Sequence, residues 1–155
     1  MTRNLVLFPA EVLKAHSEAV TLPLTQENKD LLNDMYAYVK NPDNGAVGLA
    51  APQFGINVRM FVVYHKRSDG SVFNLKMVNP RIIKNTTQVY QVPNGEACLS
   101  EPDIRVFVNR CKAVTLLGYD AITNKNVCLR LSGYEAAVVQ HELDHLDGVL
   151  LHDYL

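Results

Sequence analysis

Residues 132–148 read SGYEAAVVQHELDHLDG, and the periodicity of this stretch decides the fold. Ser132 followed three residues later by Glu135 is a capping-box signature, and Gly148 is placed to end a helix, so the stretch predicts a helix over about 134–146. Along it Tyr134, Ala137, Val138, His141 and His145 fall on one stripe, while Ala136, Val139, Leu143 and Leu146 make an apolar opposite side. A helix of this kind is buried on both faces and serves as the axis of the domain.

Upstream, residues 58–131 carry strand-like runs bounded by turn residues: VRMFVVY, SVFNLKMV, RIIKNTTQVYQV, IRVFV, KAVTLL and NVCLRL. Further back, Thr25 is positioned to cap a helix reaching about Lys40, whose Leu32, Met35, Tyr36 and Val39 recur at helical spacing. Short antiparallel strands wrapped around a central C-terminal helix, with an N-terminal helix in front, define an α+β fold.

The chain has 155 residues, 48% of them hydrophobic, which suits one domain over 1–155 with a real core. Fifteen basic and sixteen acidic side chains nearly cancel and no cationic cluster stands out, which argues against sequence-specific nucleic-acid binding or an anionic membrane as partner. The opening MTRNLVLFPAEVLK lacks a signal peptide's apolar core and no stretch is apolar enough to span a bilayer, so the expected location is cytoplasmic. Three cysteines, an odd count, argue against a disulfide framework. Cys111 and Cys128 are expected as small buried hydrophobes.

The chemistry lies in HELDH, 141–145. His141 and His145 stand four apart, so both imidazoles leave one helix face and can share a divalent ion, with Glu142 beside them free to handle a proton. Two histidines and a glutamate can meet on a helix by accident, but on a buried helix their desolvation calls for a compensating partner, which a metal supplies. A catalytic site takes three protein ligands and keeps one position open. Three sources of the third ligand exist. His152 would extend HELDHLDG toward the metzincin pattern, but that pattern places its histidine at 151, which is Leu, and needs a later methionine turn. Cys98, in GEACLS at 95–100, sits in a turn-flanked segment able to bring a thiolate to the helix, and is favoured. Asp144 and Asp147 project away from the histidine stripe or lie past it, and suit supporting or solvated positions better. GAVGLAAPQFG at 45–55 is glycine-rich enough for close approach of backbone to a ligand; taken alone it reads as a tight loop before a strand.

Taken in order, AVGLAAPQ at 46–53, EACLS at 96–100 and QHELDH at 140–145 resemble the three motifs of the peptide deformylase family, and the match spans most of the chain. The resemblance implies Cys98, His141 and His145 as ligands of Fe(II), replaceable by Ni, Co or Zn, with water in the fourth position. It implies Glu142 as the acid/base, the Gln53 side chain and the Leu99 backbone N–H as oxyanion donors, and Val47, Gly48, Tyr134, Ala137 and Val138 along the path of a methionine side chain. The substrate implied is the N-formyl group of the initiator methionine on a nascent polypeptide at the ribosome, released as formate. Glu96 is expected to pair with Arg105 or Arg110 and so steady the loop that bears Cys98.

Two positions depart from the family pattern: Ala46 and Ala97 stand where glycines are usual. A Cβ there costs roughly 1 kcal/mol or more if the backbone needs positive φ, and otherwise narrows the cleft. The chain also stops at HDYL, short of the extension that bacterial members carry, which bears on stability more than on chemistry. These departures motivate an alternative: a deformylase-like protein that binds metal or formyl-peptide with little or no turnover.

Overall fold

A computed structural model describes residues 3–155. The anticipated α+β architecture is present: helix α1, Gln26–Lys40, at the front; helix α2, Gly133–Leu146, inside; and antiparallel sheet between and around them. The strands are β1, Gly48–Ala50; β2, Met60–Lys66; β3, Val72–Asn85; β4, Val89–Tyr90; β5, Glu96–Cys98; β6, Glu101–Val106; β7, Arg110–Cys111; β8, Ala113–Asp120; and β9, Lys125–Ser132. The main sheet runs β1-β2-β3-β8-β9, and β4–β7 and β5–β6 form two small ribbons.

The run VRMFVVY has no polar face because helices cover both sides of its strand. Phe61 and Val63 of β2 point toward α2, where they join Leu75, Met77, Leu116, Ala136 and Val139. Met60 and Val62 point the other way, onto Leu32, Met35 and Val39 of α1. Thr25 caps α1 as expected, its hydroxyl accepting from the Asn28 N–H at 3.2 Å. Ala136 and Val139 are fully buried on one side of α2, and His145, Glu142 and Ala137 are buried on the other.

Several expectations need correction. SVFNLKMV and RIIK are one strand, β3, which passes through Asn79 at φ 52° and Pro80 and shifts register against β8 there. The tail of RIIKNTTQVYQV separates from it as the short β4. GAVGLAAPQFG is partly sheet: Gly48–Ala50 pairs with Phe61–Val63 before a 3₁₀ turn at Ala51–Phe54. The Ser132–Glu135 capping box does not form. Ser132 makes no side-chain cap bond, and the Glu135 carboxylate that would reach back to the Ser132 N–H is taken by Arg67, at 2.8 and 2.9 Å, and by His65, at 3.0 Å. Gly148 does supply the left-handed residue after α2, at φ 75°, one place beyond the cap at Asp147. Cys128 is exposed, sharing its strand face with the exposed Asn126 and Arg130, and Cys111 is half-buried against the edge of the core.

Candidate metal centre

Helix geometry projects His141 and His145 from the same face of α2, their rings 5.0 Å apart between centroids. Cys98 reaches them from the end of β5. Asn94 and Gly95, at φ 68° and 83°, turn the chain sharply into that strand, and a Cβ on Gly95 would lie 3.2 Å from the Val106 carbonyl. Cys98 Sγ comes to 3.4 Å from His145 Nε2, and the donor atoms of Cys98, His141 and His145 all lie within 4.8 Å of one another. Cys98 and His145 are buried, and His141 is nearly so.

The cluster has the shape and chemistry of a metal site. An ion bound tetrahedrally at about 2.3 Å from sulfur and about 2.0 Å from nitrogen separates those two donors by about 3.5 Å, close to the observed spacing. One soft thiolate with two imidazoles suits a transition metal. Two buried polar atoms, Glu142 Oε1 and His145 Nδ1, have no hydrogen-bond partner among the described residues. His141 contacts Glu96 Oε1 through Nδ1 at 2.9 Å, which leaves Nε2 as the atom facing the cluster.

Glu96 is held in turn by Arg110, whose Nη2 and Nε donate to its two carboxylate oxygens at 2.7 and 2.9 Å. Of the two arginines anticipated as its partner, Arg110 takes the position. Arg105 donates to the Gly95 carbonyl at 3.2 Å and faces the cleft. Burial pushes the Glu96 carboxyl up, but the bonds from His141 and Arg110 outweigh it, and the net shift is downward. Arg110 Nη1 also donates to Asp144 Oδ2 at 2.6 Å, so Asp144 is tied into this network instead of being solvated. Asp147 lies outside it, paired with Arg59 at 2.9 Å. His152 is not part of the ligand cluster; its Nδ1 meets Glu101 at 2.8 Å and its ring stacks on Phe8.

Glu142 is buried next to the cluster, and burial pushes its carboxyl up to about 7. Gln53 is held from both ends: its Oε1 accepts from the Ala50 N–H at 3.0 Å, and its Nε2 donates to Ser100 Oγ at 3.1 Å. A cleft of 620 Å³ opens onto these groups. Val47, Gly48, Tyr134, Ala137 and Val138 form its apolar wall, Leu99 lies on its rim, and Glu142, His141 and Cys98 form its polar end. Ala46 and Ala97 line it too, and neither is among the described residues with positive φ, so their Cβ atoms narrow the cleft without left-handed strain.

Sequence reasoning did not single out Ser100, Glu101 or Tyr154. Ser100 closes the quoted GEACLS and Glu101 follows it, and their burial, 0% and 1% exposed, marks them as polar groups with dedicated partners.

A buried Cys-His-His cluster with a glutamate beside it, on the axial helix of an α+β fold, defines a metal-dependent hydrolase. Comparison narrows the class: the family model described as Polypeptide deformylase matches residues 2–155. The chain belongs to that family, whose members are metal-dependent hydrolases of N-formyl-methionyl peptides. It is 38% identical over 153 residues to the peptide deformylase of Shouchella clausii strain KSM-K16, covering 92% of this chain and 83% of that one. Among solved structures it resembles a probable peptide deformylase from Synechococcus phage S-SSM7, with a TM-score of 0.87 and 32% identity over 99% of this chain and 100% of that one. It also resembles a class I type b peptide deformylase from Acinetobacter baumannii bound to Met-Ala-Ser, with a TM-score of 0.86 and 26% identity over 100% and 99% of the two chains.

Proposed function

We propose that residues 1–155 act as one catalytic domain that hydrolyses the N-formyl group of methionyl nascent peptides, releasing formate and a free amino terminus. The observation that carries this reading is the convergence of Cys98, His141 and His145 at the polar end of an apolar-walled cleft, with Glu142 buried beside them. The Met-Ala-Ser bound to the Acinetobacter relative supports a methionyl peptide as the ligand.

Cys98, His141 and His145 would hold Fe(II), or Ni, Co or Zn in its place, and an ion there would act as a Lewis acid that brings a bound water's pKa down toward neutrality. Glu142, buried beside the three candidate ligands, accepts the proton of the attacking water. The water oxygen bonds to the formyl carbon, the C–N bond breaks, and Glu142 returns the proton to the departing amine. Gln53 and the Leu99 N–H are the donors for the oxyanion. A primary amide has two N–H donors; Gln53 keeps its bond to Ser100 at 3.1 Å, and the donor it offers to substrate is the one in weak contact with Cys98 Sγ at 3.8 Å. The apolar wall from Val47 to Val138 takes the methionine side chain.

The nascent chain at the ribosome is the partner in this reading, and the cytoplasm the location; no helix among the described residues is long and apolar enough to cross a membrane. The test is formate release from formyl-Met-Ala-Ser by protein loaded with Fe(II) or Ni(II), alongside Glu142→Ala. Release by the native sequence and none by the variant, both with metal bound, is expected. No formate above background from the native sequence would leave only binding without turnover.

A further inference from the structure

Cys98 lies more than 40 residues from the two histidines in the chain and is joined to them at the site by non-covalent contacts alone. Besides Arg110, the C-terminal 3₁₀ turn Leu151–Tyr154 touches the elements that bear them: it bonds to the β5–β6 hairpin at one end and to α2, through Tyr154, at the other.

At the hairpin end the contact is Glu101, paired across the ribbon with Cys98 itself. Its carboxylate accepts from the Leu151 and His152 N–H groups at 3.0 and 2.9 Å and meets His152 Nδ1 at 2.8 Å. Leu151, 2% exposed, packs in the same apolar cluster as Cys98. At the helix end the contact is Tyr154, whose hydroxyl donates to Asp144 Oδ2 at 2.7 Å. The same Asp144 oxygen accepts from Arg110, and Arg110 holds Glu96, which holds His141. The Tyr154 ring also lies 5.3 Å from the Arg110 guanidinium.

We propose that the turn Leu151–Tyr154 is a strap that sets the spacing between Cys98 and the histidines, and that Tyr154 is a positioning residue for the metal through Asp144, Arg110, Glu96 and His141. The inference rests on the reading of Cys98, His141 and His145 as ligands. Apolar contacts tolerate sliding, whereas ligands must be held within about 0.5 Å of their required geometry, so directional bonds at both ends of the strap are what fix the register. Glu101, 1% exposed, supplies the bond acceptors at one end, where water weakens them least; at the other end Asp144 accepts from Tyr154 at the surface and from the buried Arg110.

The test uses the protein loaded with Co(II), whose thiolate absorption reports the Cys98 bond directly. Tyr154→Phe keeps the ring and removes only the hydroxyl. It is expected to speed loss of Co(II) to a chelator by about tenfold, the usual scale for a group supporting a ligand. The thiolate band should shift, with the melting temperature of the metal-free protein nearly unchanged. Glu101→Gln, which acts from the other end, is expected to perturb the same band. Native-like Co(II) release and absorption in both variants would overturn the proposal, as would a lower melting temperature with unchanged absorption. If the native sequence shows no thiolate band, the ligand assignment itself fails, and the strap with it.

Discussion

Gly48 lies directly over the Glu142 carboxylate: a Cβ built on it would stand 2.6 Å from Oε2 and 3.0 Å from Cδ. The backbone of Gly48 is not left-handed, so the glycine is there for space and not for conformation. β1 can approach the helix closely enough to roof the proposed base only because residue 48 has no side chain.

Gly48→Ala is therefore expected to push the Glu142 carboxylate aside and lower kcat for deformylation by about 100-fold, the scale of a 1 Å misplacement. Metal content should stay native, because none of the three candidate ligands is touched. Steady-state kinetics with metal analysis checks this; a kcat within a fewfold of native would show that Glu142 has room to move.

Arg110 is 4% exposed and forks onto Glu96 while also holding Asp144. Lysine carries the charge but cannot make the fork, so Arg110→Lys should weaken Ni(II) binding by about 10- to 100-fold through a loosened His141. Competition titration against a chelator measures it. Arg110→Ala should be worse, destabilising the fold by roughly 3 kcal/mol or more by leaving Glu96 buried with less compensation.

An ion that binds the folded chain and not the unfolded one raises stability by mass action, by about 4 kcal/mol at a thousand times its Kd. Chelation should remove that increment, and Cys98→Ser should forfeit most of it. Urea unfolding with and without Ni(II) checks both, and an equal increment in the serine variant would remove Cys98 from the ligand set.

The bond from Arg67 holds the Glu135 carboxyl below its ordinary range; burial works the other way, and His65 adds to the lowering. A carboxyl lowered by folding stabilises the protein above its unfolded pKa, about 4.3, and loses that effect as pH falls through the lowered folded value. Glu135→Gln should thus unfold at lower urea than native at pH 7. The gap should narrow progressively as pH falls below about 4.3. A gap that persists undiminished in acid would place the loss in packing and not in the charge.

Ala46 and Ala97 both have backbones that a Cβ fits without strain. Restoring glycine at either should change kcat/KM by less than about fivefold, under about 1 kcal/mol in the barrier. A gain of a hundredfold would mean that these side chains block the cleft and would favour the reading of binding with little turnover.

Much of the fold was legible because it is local. The stripes of α1 and α2, the Thr25 cap and most strand centres follow from period 3.6 or period 2 within a dozen residues. Misreadings fell where distant groups compete for local ones. Glu135 looked like a capping residue until Arg67, 68 positions away, took its carboxylate. Asn79 and Pro80 looked like a strand end, but β8 carries β3 straight through them with a shift of register.

The sequence by itself determined that a buried helix carries two histidines four apart with a glutamate between them, since helical pitch alone puts both imidazoles on one face. Only the tertiary structure decided which groups meet them. Cys98 stands 3.4 Å from His145 while His152 is turned onto Glu101; Arg110 and not Arg105 holds Glu96; and Gly48 makes room for Glu142. Each of these contacts depends on turns that close loops of 14 to 94 residues, and the direction in which such a loop delivers its side chains comes from sheet register and core packing, not from local periodicity.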